Sequence, residues 1–229
     1  MTFELSSESV IARDKARALA QVVMPQAAQI DRTASVPAEL SGELAALTSN
    51  HPLVTVVMAE ELAVASAAVA INVVAGNGSR TLGLSGLRGA IVPEDTPRVQ
   101  LALAGVALGV GRAAVEAALA ELRRSSGTPS DVEKPQWVVA DVATDLDAAR
   151  LLTYKAAGTM TNADIALARL LASAAAQRAV DAALRVAGVS AVAEGSALER
   201  LARDVRVLLV LLGTEENQRA IAAEGLLPH

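Results

Sequence analysis

The apolar residues of this chain are nearly all aliphatic. Hydrophobic residues make up 52% of its 229 residues, yet Phe3, Trp137 and Tyr154 are its only aromatic residues. Alanine, leucine and valine dominate, and that composition favours closely packed helices over a sandwich of β-branched and aromatic strands. The chain is long enough to bury a substantial core as one large domain or two closely packed halves. We therefore expect an all-α globular protein.

The charge balance and the rare residue types exclude several classes of function. A net charge of −5 and a pI near 5.1 provide no basic field for nucleic acid or an anionic membrane surface. The chain has no cysteine and only two histidines, His51 and His229, which argues against a disulfide framework, a thiolate nucleophile, a histidine triad or a metal site. The first residues lack the basic and apolar regions of a secretory signal. We expect a cytoplasmic protein without a metal.

The longest apolar run predicts a buried helix. Residues 52–75 carry Glu60 and Glu61 near their middle, where two carboxylates would be costly in a bilayer. A membrane span is therefore not expected.

Helical periodicity divides the chain into three parts. Residues 6–30, 36–47 and 52–74 predict three N-terminal helices, and residues 98–124, 135–160, 162–187, 197–211 and 214–226 predict an antiparallel C-terminal bundle of four to five helices. Residues 76–97 hold five glycines and two prolines without a helical period, which indicates a linker with at most one short strand. The predicted boundaries are 1–76 for the N-terminal part, 77–97 for the linker and 98–229 for the bundle.

The order of several motifs resembles the acyl-CoA dehydrogenase family over most of the chain. The tail resembles the C-terminal signature of that family, and the other segments resemble its opening helices and its bundle helices. The segments are Ala27-Ala-Gln-Ile-Asp-Arg32, Met58-Ala-Glu-Glu-Leu-Ala63, Ala104-Gly-Val-Ala-Leu-Gly-Val-Gly-Arg112, Gln136-Trp-Val-Val-Ala-Asp141, Ala197-Leu-Glu-Arg-Leu-Ala-Arg-Asp204 and Gly213-Thr-Glu-Glu-Asn-Gln-Arg219. The resemblance implies the helical bundle of that family, with its middle β-domain reduced to the linker at 77–97.

The resemblance also places the catalytic base of the family at Leu212, directly before Gly213-Thr214. A leucine side chain has no lone pair and cannot take a proton from the carbon beside a thioester carbonyl. The alternative base of some members aligns near Pro97 and Arg98, where no carboxylate stands. Substitute bases would have to be Glu94 or Asp95 in the linker, or Glu215 or Glu216 after the vacant position, although acidic residues are also expected there for the helix dipole alone.

Two positions resemble the FAD contacts of the family. Arg124 aligns with an arginine that reaches the FAD pyrophosphate of a neighbouring subunit, and Gly188 matches the first glycine of a Gly-Gly turn beside the flavin. Both residues can also be explained without a cofactor, because arginine and glycine are common at the C-terminal ends of helices.

Three functions remain open. The first is a non-catalytic or half-site subunit that partners a full-length FAD-dependent acyl-CoA dehydrogenase, with Arg124 touching the FAD of that partner. The second is a working FAD-dependent dehydrogenase acting on an acyl thioester. The third is a flavin-free all-α scaffold or repurposed enzyme that uses the cleft left by the β-domain. The apolar stretches at 167–186 and 205–212 further suggest a homo-oligomer, a dimer or a tetramer.

Overall fold

The protein is a bundle of α-helices. The computed structural model describes residues 5–75, 81–124 and 129–227, with the backbone alone at 129–134. Phe3, residues 77–80 of the predicted linker, and residues 228–229 lie outside this part. The helices are α1 (Ser7–Val23), α2 (Ala27–Thr33), α3 (Ala38–Ala45), α4 (Pro52–Ala65), α5 (Ala67–Ala75), α6 (Pro97–Arg124), α7 (Pro129–Thr159), α8 (Asn162–Ala187), α9 (Ala197–Leu208) and α10 (Glu215–Leu226), with 3-10 turns at Met24–Gln26 and Val189–Val192.

The predicted all-α class is confirmed. Within the described ranges, the extended pairing consists of one isolated antiparallel bridge between Thr81 and Ile91. This bridge lies in the linker, where the sequence allowed at most one short strand. The short connections place successive bundle helices side by side, and α8 packs against α6, α7, α9 and α10.

Short polar residues begin four of the helices. The hydroxyls of Ser6, Thr161, Ser196 and Thr214 each accept a hydrogen bond from the backbone N–H three residues later, which satisfies one of the unpaired donors of the first turn. The helices predicted over residues 162–187 and 214–226 are α8 and α10. The local sequence therefore sets where α1, α8, α9 and α10 begin.

Several helix boundaries differ from the prediction. The helix expected over residues 6–30 is divided by the 3-10 turn at Met24–Gln26 into α1 and α2. The helix expected over residues 52–74 is interrupted at Ser66, whose backbone is extended (φ −158°, ψ 116°) and whose hydroxyl accepts from the Val69 N–H at the start of α5. Ser66 thus closes α4 and caps α5, a use of serine that the apolar pattern concealed. The helix expected from Pro135 begins at Pro129, with Pro135 inside it at the cost of one backbone hydrogen bond.

The central helix is α6, which lies between α4 and α8. Glycines bring it into backbone contact with α4: a Cβ at Gly105 would lie 2.7 Å from the Val56 carbonyl oxygen, and one at Gly109 would lie 2.3 Å from the Glu60 carbonyl oxygen. Among the described residues, α6 is also the one helix that is long and apolar enough to cross a membrane, but 72% of that stretch is buried inside the fold. It is a core helix.

The linker is fastened to both helical parts. The Asn72 side chain donates to the Gly89 carbonyl oxygen (2.9 Å) and accepts from the Ile91 N–H (2.7 Å), while Asp204 accepts from the Leu87 N–H (2.6 Å). One hydrophobic core runs from α1 to α9 without interruption. The domain boundaries at 76 and 97 stay a prediction, because packing joins the two helical parts directly.

The close approach of α4 and α6 gives a test of the fold. Gly109→Ala places a methyl group against the Glu60 carbonyl oxygen and the Ala63 side chain, so we expect it to lower the free energy of unfolding by about 1–3 kcal/mol. The matched control is Gly158→Ala in α7, where a Cβ meets nothing within 4 Å and helix propensity predicts a gain of about 0.5–1 kcal/mol. Urea unfolding measures both, and equal stability of the two variants would contradict this packing.

Candidate functional site

A cleft opens where the start of α6 meets the turn between α9 and α10. We call it the Leu212 cleft. Its volume is about 240 Å³. It is lined by Asp95, Pro97, Gln100, Asn162, Ile165, Leu212, Gly213, Asn217, Gln218 and Ile221. The residue at the expected base position therefore faces a small cavity with a polar wall of amide side chains.

The turn that carries Leu212 has a strained backbone held by a side-chain hydrogen bond. Leu212 lies in the left-handed region (φ 58°) and is followed by Gly213 (φ 120°), a conformation that is uncommon for a branched residue. The Gln100 amide nitrogen donates to the Leu212 carbonyl oxygen (2.7 Å) and to Asp95 Oδ1 (2.7 Å). Gln100 thus connects the linker carboxylate to the Leu212 turn.

A buried arginine holds the Leu212 turn and Gln100 from the core side. Arg169 of α8 is 3% exposed. It donates to the Leu211 carbonyl oxygen (2.9 Å) and to the Gln100 side-chain oxygen. Burial lowers the pKa of Arg169 to about 10, against the smaller opposing effect of the Asp95 charge. Because it is still a cation at neutral pH, Arg169 closes the C-terminal end of α9 with charge-assisted hydrogen bonds.

The proposed substitute bases lie in different places. Asp95 lines the Leu212 cleft and is its one lining residue with an acidic side chain. Glu94 lines a neighbouring cleft of about 330 Å³ that also contains Arg98. Glu215 is paired with Arg219 (2.6 Å), and the Glu216 side chain is 80% exposed. The structure therefore brings Asp95, but not the other three carboxylates, into the same cleft as Leu212.

The two positions suggested for FAD lie at helix ends. Arg124 is exposed at the end of α6, where it pairs with Glu121 (2.6 Å) and bonds to the Ala120 carbonyl oxygen. Gly188 ends α8 with φ 72°, and a Cβ at this position would meet nothing within 4 Å. Open space at Gly188 and an accessible guanidinium at Arg124 are compatible with contact to a cofactor held from outside. Their roles in binding FAD stay predictions.

Glu60 and Glu61 of α4 form a buried ion network with arginines of three other helices. Glu60 pairs with Arg150 (2.9 Å) and Arg112 (3.2 Å), and Glu61 pairs with Arg112 (2.7 Å) and Arg17 (2.9 Å). Burial alone would raise the pKa of Glu61, but hydrogen bonds from the two arginines outweigh it and lower that pKa. The network joins α1, α4, α6 and α7.

Tyr154 of α7 lies beside the same network. Burial, and secondly the Glu60 charge, raise the pKa of its phenol to about 12. The phenol therefore keeps its proton at neutral pH and is unsuited to act as a base.

A third buried carboxylate, that of Asp204, fixes the linker against α9. Asp204 is 3% exposed and accepts from the Leu87 N–H. Burial raises the pKa of Asp204 to about 6, although that hydrogen bond lowers it. The neighbouring Arg203 binds Asp31 (2.6 Å), Glu199 (2.5 Å) and the Ser85 carbonyl oxygen.

Sequence reasoning did not find Arg169, Gln100 or the Arg203 cluster. The one signal for Arg169 was a charged residue within the mostly apolar segment at 167–186. Because a buried charge needs compensating hydrogen bonds, the sequence could have predicted that Arg169 has hydrogen-bond partners inside the fold.

Known proteins match the chain both in sequence and in fold. Residues 97–227, more than half of the chain, match the family model described as "Acyl-CoA dehydrogenase, C-terminal domain". The chain is 34% identical over 154 residues to the mitochondrial short-chain specific acyl-CoA dehydrogenase of Bos taurus, a match that covers 64% of this chain and 37% of that protein. It is 33% identical over 136 residues to the probable acyl-CoA dehydrogenase YngJ of Bacillus subtilis (strain 168), covering 56% and 36% respectively. The chain thus spans little more than a third of these relatives.

Two solved structures show the same fold. Butyryl-CoA dehydrogenase from Megasphaera elsdenii superposes with a TM-score of 0.84 at 16% sequence identity, with 100% of both chains covered. A chain from the structural study of the electron transferring flavoprotein of Acidaminococcus fermentans superposes with a TM-score of 0.87 at 15% identity, again covering 100% of both. At these identities the similarity concerns the fold.

The role of Arg169 in holding the Leu212 turn can be tested by substitution. Arg169→Met leaves the Leu211 carbonyl and the Gln100 side chain without their buried donor, so we expect the free energy of unfolding to fall by at least about 2 kcal/mol. The control is Arg178→Met on the same helix, where Arg178 makes an exposed pair with Asp145 and the expected loss is below about 1 kcal/mol. Urea unfolding compares the two, and a loss no larger for Arg169→Met than for Arg178→Met would show that Arg169 does not support the turn.

The buried Asp204 predicts a pH dependence of stability. Its pKa is raised from 3.8 to about 6 on folding, so between these values the folded state binds more protons than the unfolded state. Its contribution to stability is therefore fully present below the unfolded pKa and is lost as pH rises through about 6. Asp204→Asn keeps an acceptor for the Leu87 N–H and removes the titration. Thermal melts across this window should show the fall in the parent, and in the exposed-site control Asp145→Asn, but not in Asp204→Asn. A fall of the same size in Asp204→Asn would assign it to other groups.

Proposed function

This chain belongs to the acyl-CoA dehydrogenase family, and from that membership we propose that it is a non-catalytic or half-site subunit that partners a full-length, FAD-dependent acyl-CoA dehydrogenase. The observation that carries the proposal is Leu212 in its cleft. By the resemblance of the tail, an isobutyl group stands at the position of the family's base, and it can neither accept nor release a proton.

The hydrogen bonds around Leu212 support the proposal that no nearby carboxylate takes its place. Its turn is tied by Gln100 at the Leu212 carbonyl and by Arg169 at the preceding carbonyl. A shift in register that put Glu215 into the cleft would have to break both contacts and unwind the start of α10. A small shift of the chain therefore does not bring Glu215 or Glu216 to the base position.

Arg124 and Gly188 are the proposed contacts to the FAD of the partner. Both lie at helix ends, with Arg124 exposed and the space at Gly188 open. The guanidinium would form charge-assisted hydrogen bonds with a pyrophosphate, and the glycine would let backbone approach the cofactor. When bound, FAD would supply the hydride acceptor for the partner's reaction. No metal is proposed.

Association with other subunits is proposed on exposed apolar side chains. The expectation of an oligomer came from the apolar segments at 167–186 and 205–212. Much of their apolar surface packs inside the bundle, since Val205, Leu208 and Leu211 are buried. The exposed residues Trp137 (58%) and Val210 (57%) are better candidates for a subunit interface. A homo-oligomer, or an assembly that also includes the partner, would cover them.

A second function is favoured by one observation, the position of Asp95. Its carboxylate lines the same cleft as Leu212, and one of its oxygens accepts the Gln100 hydrogen bond. If the chain works as a dehydrogenase in its own right, Asp95 would take the α-proton of an acyl thioester and bound FAD would accept the hydride.

Purification of the tagged chain from the cells that naturally carry it separates the two functions. We expect a larger acyl-CoA dehydrogenase to co-purify, with flavin absorbance in the complex and none in the chain alone. Arg124→Ala should reduce the flavin retained by the complex, whereas the control Arg123→Ala, on an exposed neighbour in the last turn of α6, should not.

Other results decide against the partnership. If the chain alone is yellow and oxidises acyl-CoA, and Asp95→Asn abolishes that activity, then Asp95 is the base and the second function holds. If neither a partner nor flavin is recovered, both proposals are wrong.

A further inference from the structure

A further cavity, which shares no lining residue with the Leu212 cleft, collects arginine side chains. We call it the arginine pocket. It has a volume of about 500 Å³. It is lined by Ala28, Asp31, Arg32, Ser85, Arg88, Glu194, Gly195, Ser196, Glu199, Arg200 and Arg203. These residues come from α2, from the linker and from the start of α9, so the fold has brought three separate segments to one place.

Most of the arginines that line this pocket are not paired with a carboxylate. Arg203 is fully engaged, because Asp31 and Glu199 both bind it. Three further guanidinium groups, those of Arg32, Arg88 and Arg200, form no ion pair with any described residue. The remaining carboxylate of the lining, Glu194, is exposed and likewise forms no ion pair within the described part. An acidic protein of net charge −5 thus concentrates unpaired positive charge in one cavity.

The positions of these arginines leave their donors available. Arg88 is half-buried and makes one long contact of 3.5 Å to the Arg32 carbonyl oxygen, and Arg200 is half-buried with one contact of 3.5 Å to the Ala65 carbonyl oxygen. Each guanidinium has five N–H donors, so most of them remain free to bind a ligand. Like charges held together in partly desolvated positions repel one another, and an anion between them would remove that cost.

We propose that the arginine pocket binds a phosphate-bearing small molecule. Planar guanidinium groups suit the bidentate geometry of phosphate oxygens. Apart from Ala28 and Gly195, the lining residues have polar or charged side chains, which suit a polar ligand better than an acyl chain. The volume of the pocket lies within the range of small-molecule sites. The phosphate could be free or could belong to a larger molecule such as a nucleotide. This site is independent of the function proposed for the Leu212 cleft.

The experiment titrates the full chain with inorganic phosphate and, separately, with a nucleoside diphosphate, by calorimetry at fixed ionic strength. We expect saturable binding of at least one of them and a ligand-dependent rise in the melting temperature. Arg32→Gln and Arg88→Gln should each weaken the affinity by about tenfold or more, because each removes charged donors. The control Arg206→Gln changes an exposed arginine of the same charge on α9 that does not line the pocket, and it should leave the affinity unchanged.

The outcomes distinguish the sources of the phosphate. Equal affinity for both probes identifies a site for the phosphate group itself, and tighter binding of the diphosphate identifies a nucleotide-like ligand. Absence of binding to either probe overturns the proposal. Binding that is weakened equally by Arg206→Gln, or unaffected by Arg32→Gln and Arg88→Gln, also overturns it, because it would reflect general surface charge. Arg32 is exposed and its side chain makes no hydrogen bond within the described part, so its variant is expected to fold.

Discussion

The fold depends on the pairing of two buried carboxylates with three arginines. Glu60 and Glu61 lie in the middle of α4, 3% and 5% exposed, and their partners Arg17, Arg112 and Arg150 come from α1, α6 and α7. Removing one partner from such a network leaves a buried charge uncompensated, which is more costly than the pair is stabilising. Any arrangement of these four helices must therefore keep the charges together, and the glycine contact between α4 and α6 fixes how close the helices come.

The packing of α4, α6 and α8 also positions the Leu212 cleft. Because α4 and α8 hold α6 on either side, its first turn presents Gln100 to the Leu212 turn at a defined place. Arg169 then secures both Gln100 and the end of α9 from the buried side. The region that the sequence resemblance links to catalysis is thus ordered by hydrogen bonds, with the aliphatic side chain of Leu212 lining its cleft. An ordered turn with leucine at the proposed base position is what our proposal of a supporting subunit requires.

Sequence reasoning predicted the features that depend on local interactions. Most of the helices follow from the periodicity of the apolar residues, and the aliphatic composition indicated the all-α class. The break at Ser66 was not predicted, since a serine inside an apolar run gives no periodic signal. The contacts of Gln100 with Arg169 and with Leu212 join residues 69 and 112 positions apart, and no local pattern specifies them. The resemblance named Asp95 only as one of four candidate bases. That Asp95 shares a cleft with Leu212, and that the arginines of α2, the linker and α9 converge, emerged from the folded chain.

The central claim is that this chain contributes a bundle, but not the base, to a shared flavoenzyme. Native mass spectrometry of the assembly isolated from its natural cells measures subunits and flavins in one experiment. The account predicts a heteromer in which flavins are matched to the larger dehydrogenase subunits and none is assigned to this chain. A homo-oligomer of this chain that carries one flavin per subunit would contradict it.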